Sequence, residues 1–133
     1  MKVKGFNHVT IRVSDLERSL GFYRDLLDMK LVHRGKTDAY LEWGTAWVAL
    51  VEKKPSADSE PGGDAGFGVD HVAFSIDEED FDEAARRLEE AEVPIVRGPI
   101  RRGIGRSINF LDPDGTQLEL HTSNLRERMT VWS

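Results

Sequence analysis

Two segments of this chain repeat one another, and that repeat limits the fold more than any other feature. Phe6-Asn7-His8-Val9-Thr10-Ile11-Arg12-Val13 is matched by Val69-Asp70-His71-Val72-Ala73-Phe74-Ser75-Ile76. Each alternates apolar and polar residues, as a strand with one covered face does, and each is followed by a helical pattern. A duplicated strand–helix unit that meets itself brings two histidines together, and two imidazoles are half of a metal site.

The rest of each half repeats as well. In the first, Ser14-Asp15-Leu16-Glu17 reads as a capping box, with Ser14 as N-cap and Glu17 reaching back. Leu16, Leu20, Tyr23 and Leu27 follow at helical spacing, so a helix is expected over about residues 15–28. Strand-like runs cover Lys30–His33, Ala39–Trp43 and Ala46–Glu52, with turns at Gly35 and Gly44. In the second, Asp77–Ala91 reads as a helix with Phe81, Ala85, Leu88 and Ala91 on one stripe, its early acids suiting the helix dipole. Strands are expected at Pro94–Val96, Ser107–Leu111 and Thr116–His121, with Asp112-Pro113-Asp114-Gly115 as the tight turn before the last. Both halves therefore read β-α-β-β-β. The expected organisation is one domain over 1–133: module 1 (3–52), a Pro- and Gly-rich linker (53–66), module 2 (67–123) and a tail (124–133).

Composition excludes several classes. A chain of 133 residues suffices for one domain with a core. A net charge of -6 argues against a nucleic-acid partner. Without cysteine there are no disulfides, thiolate nucleophiles or cysteine-based zinc sites, and a cytoplasmic location fits. No apolar run is long enough to span a membrane, and no signal-peptide pattern precedes the first strand.

A helix needs an apolar sheet face to sit on. Val9, Ile11 and Val13, and likewise Val72, Phe74 and Ile76, supply it. The opposite faces, with His8 and His71, must line a concavity. On the last strand Leu118 and Leu120 go to the helix side, while Gln117, Glu119 and His121 go to the cavity side. His8, His71 and Glu119 thus share one cavity. Two imidazoles and a carboxylate suit Mn²⁺, Fe²⁺, Zn²⁺, Ni²⁺ or Co²⁺ and leave positions open for substrate. A single strand histidine is more often an ordinary hydrogen-bonded residue; the duplicated position, with a third donor of matching parity, favours metal.

Asn7-His8-Val9-Thr10, Asp70-His71-Val72-Ala73-Phe74 and Phe110-Leu111-Asp112-Pro113-Asp114-Gly115-Thr116-Gln117-Leu118-Glu119 resemble the signatures of the vicinal oxygen chelate superfamily, which includes glyoxalase I, extradiol dioxygenases and antibiotic-resistance proteins. The resemblance runs from Phe6 to about Arg128. It implies an α+β fold of two βαβββ modules forming a cupped, partly open mixed sheet around a divalent metal, and a homodimer in which the modules making one site come from one chain or from two. Within the superfamily, Phe22-Tyr23-Arg24-Asp25-Leu26-Leu27, Ala39-Tyr40-Leu41-Glu42, Gly105-Arg106-Ser107 and the ending Leu125-Arg126-Glu127-Arg128 are most similar to the fosfomycin-resistance enzymes. That likeness implies opening of an epoxide in a small anionic substrate by a thiol or water, with Mn²⁺ the leading metal. It implies His8, His71 and Glu119 as ligands, Thr10 beside the reacting epoxide, Tyr40 and Trp47 on the substrate wall, and Ser107 and Arg128 on the phosphonate.

Some positions depart from that pattern. Pro99 stands where those enzymes have a lysine, and Arg102, beside Arg101, is the substitute expected to meet substrate. Asn109 stands where they have a tyrosine and inherits its place on the substrate. The hydrolytic branch uses a glutamate base in a longer hairpin that this chain lacks; Glu42, nearby in sequence but in another motif, is the candidate here. Other chemistries remain in view. Glyoxalase I takes a fourth ligand from the last strand of module 1, but Ala46–Val51 offers none. Extradiol dioxygenases use two histidines and a glutamate on Fe²⁺ and are usually longer. Non-enzymatic drug-binding members lack the metal triad.

Overall fold

The computed structural model describes residues 1–2, 5–54 and 69–130, with Arg102 and Arg128 described by backbone alone. Most of the expected linker, 55–66, lies outside the described residues, as do the first residues of each expected module. The chain forms two compact units, Met1–Gly63 and Asp64–Ser133.

The first unit contains β1 (Val9–Val13), α1 (Leu16–Leu20) continuing as a π-helical turn (Gly21–Leu26), β2 (Lys30–Arg34), β3 (Asp38–Trp43) and β4 (Ala46–Glu52). Its open sheet has the order β1-β4-β3-β2, with β1 parallel to β4 and the other pairs antiparallel. The second unit contains β5 (Val72–Ser75), α2 (Glu78–Glu90), β6 (Ile95–Arg102), β7 (Gly105–Leu111), β8 (Gln117–His121) and a short α3 (Leu125–Arg128). Its sheet repeats the same order, β5-β8-β7-β6, with the same pattern of directions. Both are open mixed sheets, and the fold is α+β.

Each unit packs its helix on one sheet face, as the alternation requires. Ile11, Val13, Ala39, Leu41, Val48 and Leu50 meet the stripe Leu16, Leu20, Tyr23 and Leu27 in the first core. Ile108, Phe110, Leu118 and Leu120 form the second core with Phe81 and Leu88. Ala91, expected on that stripe, is the exposed C-cap of α2. Arg106 fastens α2 to β7: its guanidinium lies 4.5 Å over the Phe81 ring and donates to Glu78 Oε1 at 2.8 Å and Asp82 Oδ1 at 2.6 Å. That hydrogen bond, and the positive charge behind it, hold the Asp82 carboxyl below its ordinary range.

Several expectations need correction. The N-cap of α1 is Asp15, whose Oδ1 accepts from the Arg18 amide at 3.1 Å; Ser14 lies outside the helix. Glu17 does not reach back, because its carboxylate pairs with Arg34 at 2.5 Å. A second free amide of this terminus, that of Leu16, donates instead to Glu52 Oε2 at 2.8 Å, a carboxylate arriving from β4. The helix expected over 15–28 changes to π-helical winding at Gly21, which side-chain periodicity does not reveal. β6 runs to Arg102 rather than stopping at Val96. Gly98 and Pro99, beyond the strand expected at Pro94–Val96, lie at an irregularity in the β6–β7 ladder between Arg97 and Ile100. Gly98 has φ +95°, and a Cβ there would stand 2.6 Å from the Ser107 carbonyl oxygen, so only glycine fits.

Candidate metal centre

Both repeated histidines stand one residue before their strands, His8 before β1 and His71 before β5. The residue ahead of each holds its ring. His8 Nδ1 is 2.7 Å from Asn7 Oδ1, and His71 Nδ1 is 2.8 Å from Asp70 Oδ2. An amide oxygen and a carboxylate oxygen can only accept, so Nδ1 carries a proton, and when the ring is neutral Nε2 keeps a free lone pair. A metal ligand needs that tautomer, and a hydrogen-bonded Nδ1 is its usual support.

In the second unit His71 Nε2 stands 3.4 Å from Glu119 Oε1. Two donors each about 2.1 Å from one ion stand about 3.0 to 3.4 Å apart at right-angle or tetrahedral geometry. With the ring neutral, both atoms are acceptors at the spacing a shared cation requires, and in that form the residues present fit a divalent metal. Glu119 is buried on β8, and its Oε1 accepts from Asn109 Nδ2 of β7 at 2.9 Å. The structure therefore brings His71 and Glu119 together. His8 belongs to the first unit, where its ring stacks on Trp47 with centroids 4.2 Å apart.

The strand register pairs the two copies position by position. Thr10, Ala49, Tyr40 and His33 form one row across β1, β4, β3 and β2. Ala73, Glu119, Asn109 and Arg97 form the matching row across β5, β8, β7 and β6. Ala49 thus occupies in the first copy the place Glu119 holds in the second, and the first copy's last strand supplies no carboxylate there.

The other expected residues fall as follows. Thr10 is exposed on β1. Tyr40 and Trp47 are each 38% exposed and meet edge to face at 5.7 Å. With Val32, Leu41 and Glu42 they line a cavity of about 270 Å³, which places Glu42 beside the aromatic pair. Ser107 is buried on β7, paired in register with His121. His121 Nδ1 accepts from the Ser123 amide at 3.0 Å. The side chains of Arg102 and Arg128 lie outside the described residues. Asp77, Glu79 and Asp80 place carboxylates near one another at the start of α2, where exposed acids complement the helix dipole. The partners of the two Nδ1 atoms are not among the residues expected from the sequence. Their signal was present: Asn7 and Asp70 precede the histidines at matching positions of the repeat.

Residues 5–120 match the family model of the Glyoxalase/Bleomycin resistance protein/Dioxygenase superfamily. The chain is 42% identical to the metallothiol transferase FosB of Staphylococcus epidermidis, over 99% of this chain and 91% of that one. It is 39% identical to the glutathione transferase FosA of Serratia marcescens, over 97% and 88%. Its fold is similar to that of the fosfomycin resistance protein FosX of Listeria monocytogenes in complex with Mn(II) and sulfate, with a TM-score of 0.78, 26% identity, and coverage of 99% and 100%. The chain belongs to the Glyoxalase/Bleomycin resistance protein/Dioxygenase superfamily, and within it to the metal-dependent fosfomycin-resistance enzymes.

Proposed function

We propose that this chain inactivates fosfomycin by adding a low-molecular-weight thiol across its epoxide, using one divalent ion held by His8, His71 and Glu119. The observation that carries the reading is the facing pair His71 Nε2 and Glu119 Oε1, 3.4 Å apart, with the imidazole tautomer fixed by Asp70. Similarity to two thiol-using transferases supports the thiol over water. The FosX complex with Mn(II) supports Mn²⁺ as the ion.

When bound, the ion supplies Lewis acidity to the epoxide oxygen. The chain's residues bind and orient. Ser107, Arg102 and Arg128 are assigned to the phosphonate, where an arginine fork provides paired donors to two oxygens. Tyr40 and Trp47 wall the substrate, Thr10 stands beside the epoxide, and Glu42 is the candidate base for the nucleophile's proton. In the overall step a carbon–sulfur bond forms as a carbon–oxygen bond breaks. The released oxygen takes up one proton, equal to that lost by the thiol, so no oxidant or reductant is needed.

The working protein on this reading is a cytoplasmic homodimer in which the two units of each chain make one glyoxalase-like domain. Among the described residues no helix is long and apolar enough to cross a membrane. The test is fosfomycin consumption by the Mn²⁺-loaded protein with glutathione, with cysteine and with no thiol, followed by phosphorus NMR. Thiol-dependent conversion to an adduct is expected. Conversion at equal rate without thiol would transfer the assignment to hydrolysis, and no conversion by a metal-loaded protein would contradict the reading.

A further inference from the structure

Asn109 is 1% exposed, on the face of the second sheet opposite Ile108 and Phe110. Its amide orientation is fixed by chemistry: the Glu119 carboxylate only accepts, so the atom 2.9 Å from Oε1 is the Nδ2 donor. Its Oδ1 is also buried and has no hydrogen-bond donor among the described residues. An unpartnered buried acceptor is unfavourable for folding, and an amide kept for the fold's sake would have both ends satisfied. Here one end is satisfied, and its partner is the Glu119 oxygen that faces His71 Nε2. The chain's own repeat sharpens the point. The first copy has Ala49 where Glu119 stands and Tyr40 where Asn109 stands. Carboxylate and amide occur together in one copy and are both missing from the other.

We infer that Asn109 is a positioning residue for the metal centre. Its Nδ2–H holds Glu119 Oε1 opposite His71 Nε2, and it sets the affinity for the ion without ligating it or touching substrate. The inference rests on the reading of Glu119 as a ligand. A supporting hydrogen bond of this kind is worth about 10–100-fold in metal affinity.

The test is Mn²⁺ affinity by equilibrium dialysis for four full-length proteins: wild type, N109A, E119Q and the double variant. N109A should weaken binding about 10–100-fold. Its metal-free melting midpoint should move little, because the lost bond and the removed orphan acceptor offset. In the E119Q background the same substitution should change affinity less than about threefold, since residues acting through one another are not additive. N109L, which keeps the branched shape but has no donor, should reproduce the N109A loss and carries the test if N109A fails to fold. Wild-type affinity in both Asn109 variants, or the same loss with and without Glu119, would overturn the inference. Undiminished Mn²⁺ binding by E119Q is a separate outcome: it would remove Glu119 from the ligand set, and the inference with it.

Discussion

The two copies share a sheet order, a set of strand directions and a core, yet the opposite faces of their sheets have little in common. In the first, the row Thr10, Ala49, Tyr40, His33 is largely exposed and aromatic, and His8 stacks on Trp47 beside it. In the second, the row Ala73, Glu119, Asn109, Arg97 centres on a carboxylate–amide pair that is buried. The covered face is constrained by packing, so Leu41 and Phe110, Val48 and Leu118, and Leu50 and Leu120 remain apolar in both. The opposite face differs between the copies, and one offers aromatic wall where the other offers a buried carboxylate and amide.

The largest expected effect comes from removing a repeated histidine. His71→Ala should weaken Mn²⁺ binding at least about a hundredfold, beyond the roughly 10–100-fold of a supporting residue, and abolish turnover. Metal analysis after dialysis checks this, and retention of the ion would break the functional half of the comparison. Next is the shared core. Phe110→Ala should cost about 3–5 kcal/mol and lower the melting midpoint sharply, read by calorimetry. Trp47→Ala tests the aromatic copy. It removes one ring pair to His8, worth about 0.5–1.5 kcal/mol, so metal binding should fall no more than about tenfold while KM for fosfomycin rises. An unchanged KM would take Trp47 off the substrate wall.

The smallest effect is electrostatic. The Asp82 carboxyl is held below its ordinary value of 3.8 by Arg106. A lowered carboxyl contributes stability that is present above the ordinary value and is lost as pH falls through the lowered one. Asp82 is largely exposed, so the contribution is small. Urea midpoints of wild type and Asp82→Asn should differ slightly at neutral pH and converge in acid; a gap that widens in acid would contradict the assignment.

Much of the fold was legible because alternation and helical spacing are written in single residues. Val9, Ile11 and Val13, the stripe from Leu16 to Leu27, and the parity of Leu118, Glu119 and Leu120 all read directly. What escaped were features set by distant partners. Glu52 caps α1 from another strand, and β6 continues through Gly98 and Pro99 because β7 supports it. The site followed the same division. Repeat and parity point to His8, His71 and Glu119, and of these His71 and Glu119 face one another at 3.4 Å. Asn109 looked like a departure from a family pattern, and its bond to Glu119 became visible only once the β7–β8 register set the two opposite one another. Ala49 likewise becomes meaningful only through register, as the position where the first copy has no carboxylate.

On the proposed function, the repeated histidines and one unrepeated glutamate bind a single ion. Mn²⁺ titration followed by electron paramagnetic resonance, on wild type, His8→Ala, His71→Ala and E119Q, tests it most directly. One tightly held Mn²⁺ per chain is expected in wild type, loss of that site in His8→Ala and His71→Ala, and a much weaker but still measurable site in E119Q. Full occupancy in His8→Ala would contradict it, because the first copy would then contribute no ligand and the duplication would carry fold alone.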